Sequence, residues 1–177
     1  MKYLALLRGI NVGGNNIIKM KDLKEALEKN GFQNVTTYIQ SGNVIFESDE
    51  IDNKKLTEKL EKLLSQTFSY QASIVLLTKD QLKKILTDVP KTWKTNHDIR
   101  CYLAFIKAPT TSEQVTPYIT RKEGVDFIAP GEGVIYMTTL MSGLTQSGFT
   151  KLIGTKIYKE LTMRNYNTSQ KLLALME

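Results

Sequence analysis

The sequence predicts an α+β protein of two tandem ferredoxin-like units, each in β-α-β-β-α-β order, with a linking helix and a C-terminal helix. Three observations predict it. Short apolar runs alternate with segments of helical periodicity along the whole chain. The order strand, helix, strand, strand, helix, strand can be read twice. In the first half, Gln40-Ser41-Gly42-Asn43 separates two short strand-like runs, as a hairpin requires. On this reading residues 1–89 are an N-terminal unit plus the linking helix, 90–98 are a linker, and 99–177 are a C-terminal unit plus the closing helix. No residue-level repeat joins the two halves, so the duplication rests on element order alone.

Tyr3–Leu7 is a continuous apolar run with a polar exit at Arg8, the pattern of a strand buried on both faces. A loop from Gly9 to Lys19 follows. Leu23, Ala26 and Leu27 then recur at helical spacing, and Gly31 ends that helix. Val35–Ile39 and Val44–Phe46 are the hairpin strands. Asp52 is a good N-cap, Ile51 with Leu56 form a hydrophobic staple, and Leu56, Leu60, Leu63 and Leu64 make one apolar stripe. Ala72–Leu77 is a buried strand. Thr78 with Gln81 makes a capping box, and the short helix it begins stops at Pro90.

The 90–98 stretch shows no periodicity. Arg100–Ile106 is a strand, and Thr111–Ile119 a short helix limited by Pro117. Val125–Ala129 and Val134–Met137 are strands around the turn Pro130–Gly133. Phe149, Leu152, Ile153 and Ile157 are spaced for a helix, Leu161–Arg164 is extended, and Thr168 caps a last helix running through Met176.

Composition narrows the function classes. The 177 residues are 41% hydrophobic and 24% charged, ordinary for a globular chain. No apolar run approaches the roughly 18–20 residues that cross a bilayer. The opening Met1–Arg8 reads as a first strand, not a signal peptide. The one cysteine, Cys101, allows no internal disulfide and suits a reducing compartment, so a cytoplasmic location is expected. The net charge of +6 can steer anionic partners, but most lysines alternate with acids such as Glu58 and Glu61 on helix faces. His97 is the only histidine, which disfavours a histidine triad. No zinc or carboxylate metal set is spaced for ligation, and no cofactor is implied. Cys101 lies in a strand and reads as a core thiol, while Trp93 reads as an anchor for 90–98 that can also stack on a ring.

Three polar segments carry the remaining chemistry. Arg8-Gly9-Ile10-Asn11-Val12-Gly13-Gly14 leaves a strand; its glycines allow backbone N–H groups to converge on an anion, and Arg8 adds a planar charge. The pattern is neither a P-loop nor a dinucleotide fingerprint. Tyr38–Asn43 reads as a hairpin turn, in which Ser41 and Asn43 gain interest because antiparallel pairing brings them near Arg8. Arg164-Asn165-Tyr166-Asn167 packs polar groups before a helix and suits anion or amide recognition.

At these segments the chain resembles the bacterial family catalogued as domain of unknown function 1697. The resemblance covers nearly the whole chain and is most specific at Leu7–Gly14, Thr37–Val44 and Arg164–Thr168. It implies an α+β fold with two ferredoxin-like repeats and no established activity. Two positions depart from the family pattern: Tyr166 stands where Trp is common, and Ser147-Gly148 where a Ser-Lys pair is common.

The leading expectation is a site for a small anionic ligand, a nucleotide or other phosphate compound, built from Arg8, Asn11, Gly13, Gly14, Ser41, Asn43, Arg164, Asn165 and Asn167. The first alternative is single-stranded nucleic-acid binding on a ferredoxin-like sheet. The second is that the loops are purely structural at the interface of the two halves. No catalytic residue or reaction is identified, and the oligomeric state is left open.

Overall fold

The computed structural model describes residues 1–177. The chain divides into two compact units, Met1–Leu82 with Leu172–Glu177, and Lys83–Lys171. The first unit contains β1 (Lys2–Leu7), α1 (Met20–Lys29), β2 (Gln33–Tyr38), β3 (Asn43–Glu47), α2 (Asn53–Phe68) and β4 (Ile74–Thr78). Its sheet has the order β2-β3-β1-β4, every pair antiparallel. Alternation along β1 and β3 sends Tyr3, Ala5, Leu7, Val44 and Phe46 to one face, where they pack on Leu23 and Leu27 of α1 and Leu56, Leu60 and Leu64 of α2. Each of those buried leucines contributes about 2 kcal/mol of transfer free energy. Phe46 stacks on Tyr3 at 5.8 Å and meets the Phe32 edge at 5.1 Å.

Local signals in this unit act through identifiable bonds. Asp52 caps α2 by accepting from the Lys54 and Lys55 amides at 2.9 and 3.1 Å. The expected staple does not form, because Ile51 is 75% exposed; Glu50 instead holds the chain entry by accepting from the Asp52 amide at 2.9 Å. The Thr78–Gln81 box is made in both directions and starts α3 (Lys79–Thr87), the linking helix. The hairpin between β2 and β3 turns at Gly42, whose φ is +77°. A Cβ there would stand 2.7 Å from Ile10 Cδ1 and 2.8 Å from Leu7 Cβ, so the turn lies directly on the end of β1.

The second unit contains β5 (Ile99–Ile106), α4 (Ser112–Val115), β6 (Asp126–Gly131), β7 (Val134–Leu140), β8 (Leu161–Asn165) and the start of α5 (Tyr166–Leu175). Its sheet order is β6-β7-β5-β8, again antiparallel throughout. Ala104, Ile106, Ile135, Met137 and Leu161 form one face and pack on Val115, Ile119 and Leu152. No helix of the protein is long and apolar enough to cross a membrane.

The helix expected around Phe149–Ile157 is absent as such. The chain between β7 and β8 makes three 3-10 stretches, Met141–Gln146, Gly148–Gly154 and Lys156–Glu160. Buried Asp126 explains part of this path. Its carboxylate accepts from the Lys122 and Gly148 amides at 2.8 and 2.7 Å, and from the Thr139 and Ser147 hydroxyls at 2.9 and 2.7 Å. Drawing Ser147 and Gly148 inward also requires glycine, since a Cβ on Gly148 would lie 2.7 Å from the Thr120 carbonyl oxygen. Burial alone raises the Asp126 pKa, but the four hydrogen bonds outweigh it and hold the carboxyl below its ordinary value.

Two outcomes are expected. Asp126→Asn loses roughly 3 kcal/mol in urea unfolding at neutral pH, because the amide gives up the charge that strengthens all four bonds and makes the Thr139 and Ser147 hydroxyls turn from donors to acceptors. The native carboxyl has the lower pKa, so its contribution is complete above the unfolded value near about pH 4 and disappears as pH falls through the native value. The gap between wild type and variant therefore narrows below about pH 4. Gly42→Ala, which combines a positive φ with two close contacts, lowers stability by about 2 kcal/mol in the same measurement.

Candidate functional site

Arg8, Asn11, Gly13, Gly14, Ser41 and Asn43 lie in the first unit, and Arg164, Asn165 and Asn167 in the second. In the first unit, register pairs Leu6 with Asn43, and the Leu7 amide donates to the Gly42 carbonyl at 2.8 Å, so the hairpin turn sits at the end of β1 where Arg8 leaves it. Asn11 joins this turn to the preceding loop. Its Nδ2 donates to the carbonyls of Ile18 and Gln40 at 2.9 and 2.8 Å, and its Oδ1 accepts from the Ile18 amide at 2.8 Å. A φ of +53° is what aims that side chain inward, a conformation asparagine adopts more readily than most residues. Asn16 donates to the Gly9 carbonyl at 2.8 Å. Asn43, wholly buried, donates to the Tyr38 carbonyl and to Ser41 Oγ at 2.9 and 3.0 Å. Gly13 and Gly14 form the exposed tip of a turn closed by a Val12–Asn15 bridge. The side-chain amides of Asn11, Asn16 and Asn43 thus donate to backbone carbonyls within and between these two loops, and Asn43 also to Ser41 Oγ.

The second unit contains a cavity of about 620 Å³. Its walls come from Trp93, Asn96 and His97 before β5, from Ile99, Arg100, Cys101 and Tyr102 of β5, from Met141 after β7, and from Asn165, Tyr166 and Asn167 where β8 becomes α5. The segment 90–98 is therefore folded. Lys91–Lys94 is a 3-10 turn, Trp93 is 6% exposed, and its indole N–H donates to Thr138 Oγ1 at 2.6 Å. The Trp93 ring meets Tyr166 and Tyr136 edge-on at 5.2 and 5.8 Å, which fixes an aromatic wall. No carboxylate lines the cavity, whereas Arg100 does.

Asn165 ends β8 and caps α5, its Oδ1 accepting from the Thr168 amide at 2.8 Å. Thr168 is accordingly inside the helix's first turn and is not its cap. Arg164 pairs across the sheet with Leu103 and, by alternation, projects to the face opposite Met163 and Asn165. It is 9% exposed, donates to the Met163 carbonyl at 2.8 Å, and does not line the cavity. Burial pulls its guanidinium down to about 10, which leaves it charged at neutral pH. Burial likewise pushes the Cys101 thiol up to about 11, so the cavity holds a neutral thiol and no ready nucleophile. Of the nine residues expected from the sequence, Asn165 and Asn167 line the cavity. Arg100, Tyr102, Asn96 and His97 were not expected there; a lone tryptophan and a lone histidine in an otherwise polar stretch are the only signals that pointed to it.

A solved structure described as a conserved bacterial protein, SP0830 from Streptococcus pneumoniae, is similar to this one with a TM-score of 0.86 and 26% sequence identity, covering 99% of this chain and 98% of that one. No curated protein matches the chain. Residues 1–136 match the family described as "Protein of unknown function (DUF1697)", a span that takes in the first two polar segments and β5 but ends before β8. With a match over more than half its length, the chain belongs to the DUF1697 family.

Proposed function

We propose that the protein binds a small anionic ligand with a planar ring, a nucleotide or related phosphate compound, in the cavity of the second unit. The observation that carries this reading is the lining of the cavity, which takes residues from both faces at the end of β5: Arg100 as a cation, Asn165 and Asn167 as amides, and Trp93, Tyr102 and Tyr166 as rings, with no acid among them. A pocket of about 620 Å³ is of the size that takes a small organic ligand. Arg100 supplies charge-assisted hydrogen bonds to the anion, and the rings supply an apolar face. We assign Asn11 and Asn43, with Ser41, to holding the loops around Arg8 in place, since the two amides are engaged by backbone carbonyls and by Ser41 Oγ, while Gly13 and Gly14 form the exposed tip of the first loop. The matching sheet orders of the two units support a ferredoxin-like description of each.

We read the cavity as a binding site; its Cys101 thiol, pushed up to about 11 by burial, offers no ready nucleophile. Trp93 is the chain's only tryptophan, so its fluorescence reports on this cavity alone. Titration with inorganic pyrophosphate and with adenosine monophosphate is expected to change that emission saturably. Arg100→Ala is expected to weaken binding about tenfold. An unchanged spectrum at millimolar concentrations of both compounds overturns the proposal. Separately, iodoacetamide at pH 8 is expected to alkylate Cys101 roughly a hundredfold more slowly than free cysteine, as its raised pKa requires.

A further inference from the structure

The chain that leads into β5 is pinned on both sides of His97. The Asn96 amide donates to the Thr92 carbonyl at 2.9 Å, and Asn96 Oδ1 accepts from the Asp98 amide at 2.8 Å. The Asp98 carbonyl in turn accepts from the Met141 amide at 2.9 Å. His97 is therefore presented at a fixed place, in the lining of the cavity at the end of the strand. It is exposed, and its side chain makes no hydrogen bond or ion pair with the protein, so no contact within the fold accounts for it. Arg100, also exposed, lines the same cavity and has no protein partner either.

Histidine is the side chain type whose charge changes just below neutral pH, whereas ammonium, guanidinium, phenol and carboxyl groups ordinarily titrate well outside that range. The charged and titratable groups around His97 are of those other types. The segment 90–98 carries Lys91 and Lys94 and one acid, Asp98, which is exposed and does not line the cavity. Arg100, Cys101 and Tyr102 come from β5, and Tyr166 from the start of α5. The Cys101 thiol is kept neutral by burial. Protonation at His97 therefore adds a second cation to a lining that has Arg100 and no acid. Resting on the binding reading above, we propose that His97 is the second contact for the ligand's anionic group: as imidazolium it donates to that group, so the ligand is held more tightly as pH falls below neutral. Arg100 supplies charge throughout, and His97 makes occupancy rise on acidification.

The test titrates adenosine monophosphate into the untagged full chain and into His97→Gln, at about pH 8 and at about pH 5.5, with affinity read from Trp93 emission. The nucleotide itself loses charge over that range, and taking the ratio of the two proteins' affinities at each pH removes that effect. The wild type is expected to gain about fivefold on the variant between the higher and the lower pH, the effect of one added charge beside an anion at a partly solvated site. Linkage supplies an independent readout. His97 is the chain's only histidine, so its imidazole NMR signals are followed without overlap. A fivefold gain on protonation requires saturating nucleotide to raise the midpoint of that titration by about 0.7 pH, the logarithm of the gain. A ratio that does not move with pH, or a midpoint that stays or falls on binding, overturns the role of His97 and leaves the anion site in place. Absence of binding to either protein at both pH values removes the anion reading and this proposal together.

Discussion

Asn165 ends β8 and caps α5 by accepting the Thr168 amide, so the chain turns from sheet to helix beside β5 at that residue. Because the backbone enters α5 there, the strand end, the tyrosine ring and the helix's first residues converge on one hollow. Trp93 completes the hollow from the other side through its bond to Thr138, a residue of the central strand β7. The rest of the second unit supports this arrangement. Asp126 fixes the return path from β7 by binding Thr139 of that strand and Ser147 and Gly148 beyond it, so that the chain arrives at β8 in register.

The first unit uses the same residue type for the opposite purpose. Asn11 adopts a left-handed backbone and spends both ends of its amide on Ile18 and Gln40, so a loop of glycines and asparagines becomes a fixed structure. Asn43 does so from a fully buried position. A buried amide left without partners costs about 1–3 kcal/mol, which explains why these side chains are matched to carbonyls. Asparagines that look alike in sequence thus divide by place: Asn11 and Asn43 tie the loops of the first unit together, whereas Asn165 caps a helix and, with Asn167, lines the cavity.

This division shows what was legible in the sequence. Element order was legible because it depends on local periodicity and turn chemistry: the apolar run Tyr3–Leu7, the Asp52 cap and the Thr78–Gln81 box each act within a few residues. The path from Phe149 to Ile157 was not, because its helical spacing is overruled by a tertiary contact, the Asp126 carboxylate, that lies far away in sequence. The pairing of Asn43 with the end of β1 followed from antiparallel geometry once the strand order was assumed. Arg100 and Tyr102 of the cavity were hidden, since nothing in a strand's residues tells where its neighbour will end. Arg164 misleads for a related reason: beside two cavity residues in sequence, it is carried to the other face of the sheet by alternation.

That last contrast bears on what kind of site a small α+β unit can build. Arg164 is buried, and desolvation already lowers its pKa; a cation in that state is held by protein groups, among them the Met163 carbonyl. Arg100 is solvent-exposed on the cavity wall, so a ligand need not first strip it from a protein partner. An exposed guanidinium alone binds anions weakly, because water competes and salt screens it. It gains selectivity only when a second, geometrically fixed element takes part, and in this cavity that element is the indole tethered to Thr138.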